Sequence, residues 1–329
     1  MGRSRTIFLL WLLLAAPPLS FAAEALVAVA SNFGAPAREL ASRFEQESGH
    51  TLKLAQGSSG KLFAQVRNGA PFDVFLSADQ AFPARLVEQA SAVQGSQFTY
   101  ALGALALWSA SDGEVLSADS LSALASDSAA SAPAKIAIAN PRIAPYGLAA
   151  QQVMGSAALP AGAAERLAAR IVYGENIAQA FQFVQTGNAR MGFVALSQVL
   201  ALTPQQRGAY WRVPSALHAP IRQDAVLLTR GENNLAARAF LRFLRGKAAR
   251  AILERYGYEF DVLGTGQSTG QTIGQNTRMS TEQSTEQGNV QSKDSAQRRQ
   301  AAIGTLPRAD SYPIWVRRNR RTQQGQHHG

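Results

Sequence analysis

Ala28-Val29-Ala30-Ser31-Asn32-Phe33 passes from a strand-like run straight into a helix-like run. Residues 25–30 form a short apolar stretch, and residues 35–46 carry Leu40, Phe44 and intervening alanines at helical spacing. The same passage recurs at Gly57-Ser58-Ser59-Gly60-Lys61. It appears with a longer loop at Asn140-Pro141-Arg142-Ile143-Ala144-Pro145-Tyr146-Gly147. Each loop is built of small residues with hydroxyls or free amides. A helix start offers backbone N–H groups without intrahelical partners and the positive end of a dipole. Several converging starts make an anion site with no buried cation.

Working outward, strand-like and helix-like runs alternate along the chain. Strands are predicted at 25–30, 51–55, 72–76, 135–139, 170–173, 190–195 and 224–229, with one long apolar strand at 100–108. Helices are predicted at 35–46, 61–67, 82–89, 116–124, 148–154, 163–169, 177–186, 234–244 and 247–256, with a short one starting at Ser197. This alternation predicts an α/β architecture with mainly parallel pairing.

Arg3 and Arg5, an apolar run over residues 7–14 and Ser20-Phe21-Ala22 read as a secretion signal cleaved before Ala23. The apolar run is short for a bilayer span and is followed by Pro17-Pro18. The chain has no cysteine, which excludes disulfides, thiolate catalysis and thiolate metal sites. Its net charge of +10 is unevenly spread. Arg3 and Arg5 supply two charges, and from Gly264 onward nine Arg or Lys stand against four Asp or Glu. The folded part is therefore close to neutral, and nucleic acid is not its expected partner. From Gly264 the composition turns to Gln, Ser, Thr, Gly and Asn, too polar to offset its ordering entropy, so residues 264–329 read as a disordered polar and basic tail. A basic tail could touch anionic lipid or nucleic acid; an inert extension is the preferred reading.

The quoted loops resemble those of the periplasmic molybdate-binding proteins of molybdate ABC transporters. So do Gly69-Ala70-Pro71-Phe72-Asp73-Val74-Phe75-Leu76-Ser77-Ala78-Asp79, Gly192-Phe193-Val194-Ala195-Leu196-Ser197 and Arg255-Tyr256-Gly257-Tyr258. The resemblance covers about residues 25–260. It implies a type II periplasmic binding protein fold: two α/β lobes with mainly parallel sheets and flanking helices, joined by two crossing segments, with the ligand in the cleft between them. The expected division is a signal peptide at 1–22, lobe 1 at 23–104, lobe 2 at 105–219, a return to lobe 1 at 220–263, and the tail. Crossings are expected near residues 102–106 and 218–224. The ligand groups it implies are Ser31 and Asn32 from the first loop, Ser59 from the second, Tyr146 from the third, and Ile177 at the helix start after Gly174-Glu175-Asn176. Ala195 stands where some members of the family carry a tyrosine, so that contact is absent here.

The residues favour the same chemistry. Ser31 and Ser59 hydroxyls can donate, as can the backbone N–H groups of Ser31, Asn32, Ser59, Tyr146 and Ile177. A site of donors without a counter-charge suits a fully deprotonated tetrahedral dianion. A protonated phosphate would bury an unmatched O–H at a cost of about 1–3 kcal/mol. The expectation is capture of molybdate or tungstate in the periplasm by a monomer, for delivery to the membrane permease of an ABC transporter. No cofactor, metal cation or catalytic residue is expected. A binding protein of the same fold for sulfate, thiosulfate or another oxyanion is the alternative. A hydrolytic enzyme fits less well: His50, His218, His327 and His328 have neither metal-ligand spacing nor a nucleophile elbow around them. Singly, Ser31 and Asn32 read as helix caps, Asp79 as a cap for the helix near Phe82, and Arg142 as a solvated surface residue.

Overall fold

The computed structural model describes residues 22–126 and 134–261. The expected signal segment, apart from Ala22, and the expected tail from Gly264 lie outside the described residues.

Two five-stranded sheets carry the fold. The first contains β1 (Glu24–Ala30), β2 (Thr51–Gly57), β3 (Val74–Leu76), β4 (Phe98–Gly103) and β10 (Ile221–Leu227), in the order β2-β1-β3-β10-β4. The second contains β5 (Leu105–Ser109), β6 (Ile136–Ala139), β7 (Ile171–Gly174), β8 (Met191–Ala195) and β9 (Ala209–Arg212), in the order β7-β6-β8-β5-β9. In the first sheet β10 runs against both its neighbours, and in the second β5 does. The other pairings are parallel, as the alternation predicts.

Side chains on β1 alternate between two cores, as the two-residue period of a strand requires. Val27 and Val29 join Phe33, Leu40, Phe44 and Phe240 on one face, while Ala28 joins Phe63, Phe75 and Leu86 on the other. The second sheet has its own core around Trp108, Ile136, Ile138, Phe193 and Val194. Trp108 stacks on Phe181 with ring centroids 4.4 Å apart.

The long strand expected at 100–108 is two strands in different sheets. β4 ends at Gly103 and β5 begins at Leu105, so Ala104 alone separates them. An unbroken apolar run is compatible with either arrangement, because both halves are buried, and only pairing partners distinguish them. The chain returns between Arg212 of β9 and Ile221 of β10. The strand at Ala209–Arg212, absent from the sequence reading, alternates half-buried and exposed residues at the edge of the second sheet, too short for its period to stand out.

Parallel register brings loop ends together. Ala30 lies opposite Gly57, Val29 opposite Leu76, and Ala139 opposite Gly174. The loops that follow these strands therefore cluster at the carboxyl ends of each sheet, the usual ligand position in open α/β folds.

Candidate functional site

Those loops open on one small, narrow cavity. Ser31, Asn32, Ser59, Tyr146 and Ile177 all line it, together with Ser58, Ala78 and Ala144. None of the described residues lining it is charged. A larger hollow lies elsewhere, on helices Gly34–Ser48 and Lys247–Arg255, bounded by Glu39, Arg43 and Arg255. It is shallow and mixed in charge, and none of the five residues reaches it.

Each of the five stands in the first turn of a helix. Ser31 and Asn32 belong to a 3-10 turn, Ser31–Phe33, that runs directly into helix Gly34–Ser48. The caps of these two elements, Ala30 and Phe33, make no side-chain bond, so neither Ser31 nor Asn32 is spent on capping. Ser59 begins helix Ser59–Arg67, and Ser58 before it is the cap, its Oγ accepting from Lys61 N at 3.4 Å. Ile177 begins helix Ile177–Gln185. The Asn176 cap accepts from Ala178 N at 2.9 Å and Gln179 N at 3.1 Å, which leaves the Ile177 N–H outside the capping bonds.

Tyr146 enters by a small correction. The sequence places the third helix at residues 148–154, but it starts at Pro145. Proline is well suited to the first helical position because it lacks the N–H that would go unpaired there and its φ is already helical. Tyr146 is thus the first residue of this helix with an N–H to offer.

The hydroxyl of Ser59 is held by the protein. Its Oγ accepts from Ala78 N at 3.0 Å, which leaves the hydroxyl proton free to donate. Asn32 differs from expectation in its side chain. Its Nδ2 donates to Gln223 Oε1 at 2.8 Å and to Tyr258 Oη at 3.1 Å, so both amide protons are used inside the protein. What Asn32 can offer a ligand is its backbone N–H.

Behind the cavity runs a buried neutral network that the sequence reading missed. Tyr100, Tyr146, Tyr258, Ser197 and Gln223 join Asn32 in it. Tyr258 and Ser197 belong to stretches that carry the resemblance, but nothing in their spacing assigns them a role. Burial pushes the Tyr258 hydroxyl up to about 12 and those of Tyr100 and Tyr146 well above their usual value. All three stay protonated, so the network places no negative charge beneath an anion.

The two halves meet on the far side of the cavity as well. Gly60 N donates to Ile143 O at 2.9 Å, and Lys61 Nζ lies 2.6 Å from Glu175 Oε1. A Cβ on Gly60 would stand 2.9 Å from Ile143 Cβ, so the close approach requires glycine. Arg142 is exposed and lies near Tyr173, outside the cavity lining. Asp79 caps as expected, accepting from Phe82 N at 2.9 Å. Asp73 accepts from Leu26 N at 2.8 Å and faces Arg230 at 3.6 Å, apart from Asp79. Among the described residues, no helix is long and apolar enough to cross a membrane.

Comparison with known proteins agrees with this geometry. The family described as bacterial extracellular solute-binding protein matches residues 25–259. The molybdate-binding protein ModA of Azotobacter vinelandii is 46% identical over 237 residues, covering 72% of this chain and 90% of the relative. ModA of Rhodobacter capsulatus is 45% identical over 237 residues, covering 72% and 88%. The solved structure of the Azotobacter vinelandii periplasmic molybdate-binding protein superposes with a TM-score of 0.65 at 38% identity, covering 72% of this chain and 99% of that one. With two α/β halves, a cavity of helix starts between them and relatives of this closeness, the chain belongs to the family of bacterial extracellular solute-binding proteins.

Proposed function

We propose that this protein captures molybdate, and tungstate with it, outside the cytoplasm and hands it to the membrane permease of an ABC transporter. The observation that carries the proposal is the cavity itself: helix starts from both sheets converge on it, and no lining residue is charged. Backbone N–H groups of Ser31, Asn32, Ser59, Tyr146 and Ile177, with the Ser31 and Ser59 hydroxyls, supply the donors. The relatives named for molybdate binding support the choice of anion. Release from the cytoplasm follows from the signal segment read in residues 1–22, after which the chain acts as a soluble monomer. Binding and delivery without catalysis is the role proposed for it, and no cofactor is needed.

Calorimetric titration of the full chain with molybdate, tungstate, sulfate and phosphate tests the proposal. Molybdate and tungstate should bind with similar affinity and raise Tm, since a ligand of the native state stabilises by mass action. Phosphate at neutral pH should do neither. Equal stabilisation by phosphate and molybdate would overturn the donor-only site, and preferential binding of sulfate would reassign the anion.

A further inference from the structure

Gln223 stands on β10, one of the two strands that carry the chain between the sheets, where its register against β4 slips between Gln223 and Asp224. Its side chain is fully buried and uses both ends. Oε1 accepts from Asn32 Nδ2 at 2.8 Å and from Tyr100 Oη at 3.1 Å, while Nε2 donates to Tyr146 Oη at 3.2 Å. Gly103, the last residue of β4, borders the same hydroxyl. A Cβ there would lie 2.1 Å from Tyr146 Oη and 2.6 Å from Gln223 Nε2. The glycine is required for space. Tyr146 itself belongs to the other half, on the helix that follows β6 and in the core of the second sheet. Its ring therefore reaches out of its own half and ends between the two crossing strands, while its backbone lines the cavity.

We infer that Gly103 and Gln223 form a socket for the Tyr146 hydroxyl, and that Gln223 is a positioning residue for anion capture. Seating the hydroxyl at the crossing sets where the Tyr146 N–H stands relative to donors of the first sheet. The same amide holds Asn32, so one side chain orients a donor residue from each half. The neutral amide accepts at one end and donates at the other, which matches the three partners around it. Glutamate would lose the donor and bring a charge beneath the anion; methionine would lose both bonds at similar length. The inference rests on the cavity being an oxyanion site.

The test uses the full chain with Tyr146→Phe, Gln223→Met and the double variant, reading molybdate association and dissociation rates. Tyr146→Phe keeps the backbone N–H and removes only the seated hydroxyl. It should speed dissociation about three- to tenfold, as loss of its neutral hydrogen bond from Gln223 implies, with association within twofold of wild type. Gln223→Met also frees Asn32 and Tyr100 and should lose at least as much, and the double variant no more than Gln223→Met, because the bond between Gln223 and Tyr146 can be lost only once. A merely structural role would instead lower the Tm of the ligand-free protein without splitting the two rates. Wild-type dissociation from Tyr146→Phe, or losses that add in the double variant, would overturn the socket. Should wild type fail to bind molybdate, the oxyanion reading fails by itself. The socket is then judged on the spin-label distance across the halves, from Lys53→Cys to Glu165→Cys, in the ligand-free chain. Tyr146→Phe should broaden that distribution, and an unchanged distribution overturns the socket.

Discussion

Adjacent serines do different work at the second loop. Ser58 Oγ caps its helix, and Ser59 Oγ, fixed by the Ala78 N–H, keeps its proton for the cavity. Ser59→Ala removes a donor to a dianion, worth about 1.5–3 kcal/mol, so molybdate affinity should fall about tenfold to a hundredfold by calorimetry. It also orphans the buried Ala78 N–H, so the ligand-free Tm should fall too. Ser58→Ala should cost about 0.5–2 kcal/mol of stability as a lost cap while leaving affinity within a few-fold. Equal affinity losses at both serines would reverse their roles. Asp79 supplies a pH-dependent effect. Burial first, and Asp224 nearby, push its carboxyl up to about 6 from an ordinary value of 3.8, against the hydrogen bonds that favour its ionised form. The folded state therefore holds this proton more tightly than the unfolded chain. The stabilisation is fully present below pH 3.8 and is lost as pH rises through about 6. Asp79→Asn keeps a capping oxygen and removes the charge. Its stability relative to wild type should rise between pH 5 and pH 7.5 by about 1 kcal/mol for a partly buried group, read as a growing Tm difference. A Tm difference that does not change with pH would show that the burial cost is not felt.

At the scale of elements, the cavity is lined by helix starts, and in two of them the cap side chain leaves the first N–H outside its bonds. Asn176 takes the second and third amides of its helix and Ser58 the third of its own, so the first amides, Ile177 and Ser59, face the cavity. The same turns also hold the halves together. Gly60 N–H crosses to Ile143, and Gly60→Ala would force Ile143 away, so it should weaken molybdate binding and also lower the ligand-free Tm, by overpacking worth about 1–3 kcal/mol. Lys61 and Glu175 pair across the mouth with both side chains about half exposed. A pair of that kind is worth about 0.2–1 kcal/mol, so Lys61→Gln should speed anion release no more than about fivefold, and less at high salt. A loss beyond that in stopped-flow release would mean that Lys61 touches the anion.

For the whole molecule, two strand crossings with one linking residue at Ala104 leave few backbone torsions to absorb any motion of one half against the other. Ligand can favour the arrangement in which both sets of donors meet only through its differential affinity for that arrangement. Because the chain has no cysteine, spin labels at Lys53→Cys and Glu165→Cys report the separation without background. Molybdate should shorten and narrow the distance distribution. No change on a sample shown to bind would mean a rigid site.

The strand-to-helix passages were legible because each depends on neighbours in sequence: an apolar run, a small-residue loop, then helical spacing. The helix starts that carry Ser31, Ser59 and Ile177 were legible for the same reason; the choice of those residues as ligand groups came from the family resemblance. Tyr146 was read as a loop residue because Pro145 looks like a turn signal until it is seen as the first helical position. The split of residues 100–108 into two sheets was not legible, since both halves are equally apolar and only their partners differ. The fate of the Asn32 amide was hidden as well, because Gln223 and Tyr258 are 191 and 226 residues away. The sequence by itself determined the α/β alternation and the strand-to-helix passages, which follow from local periodicity and side-chain type. Only the tertiary structure decided which loops share a cavity and which distant groups bond the side chains of Asn32, Ser59 and Tyr146, because those depend on strand register and on contacts between residues far apart in the chain.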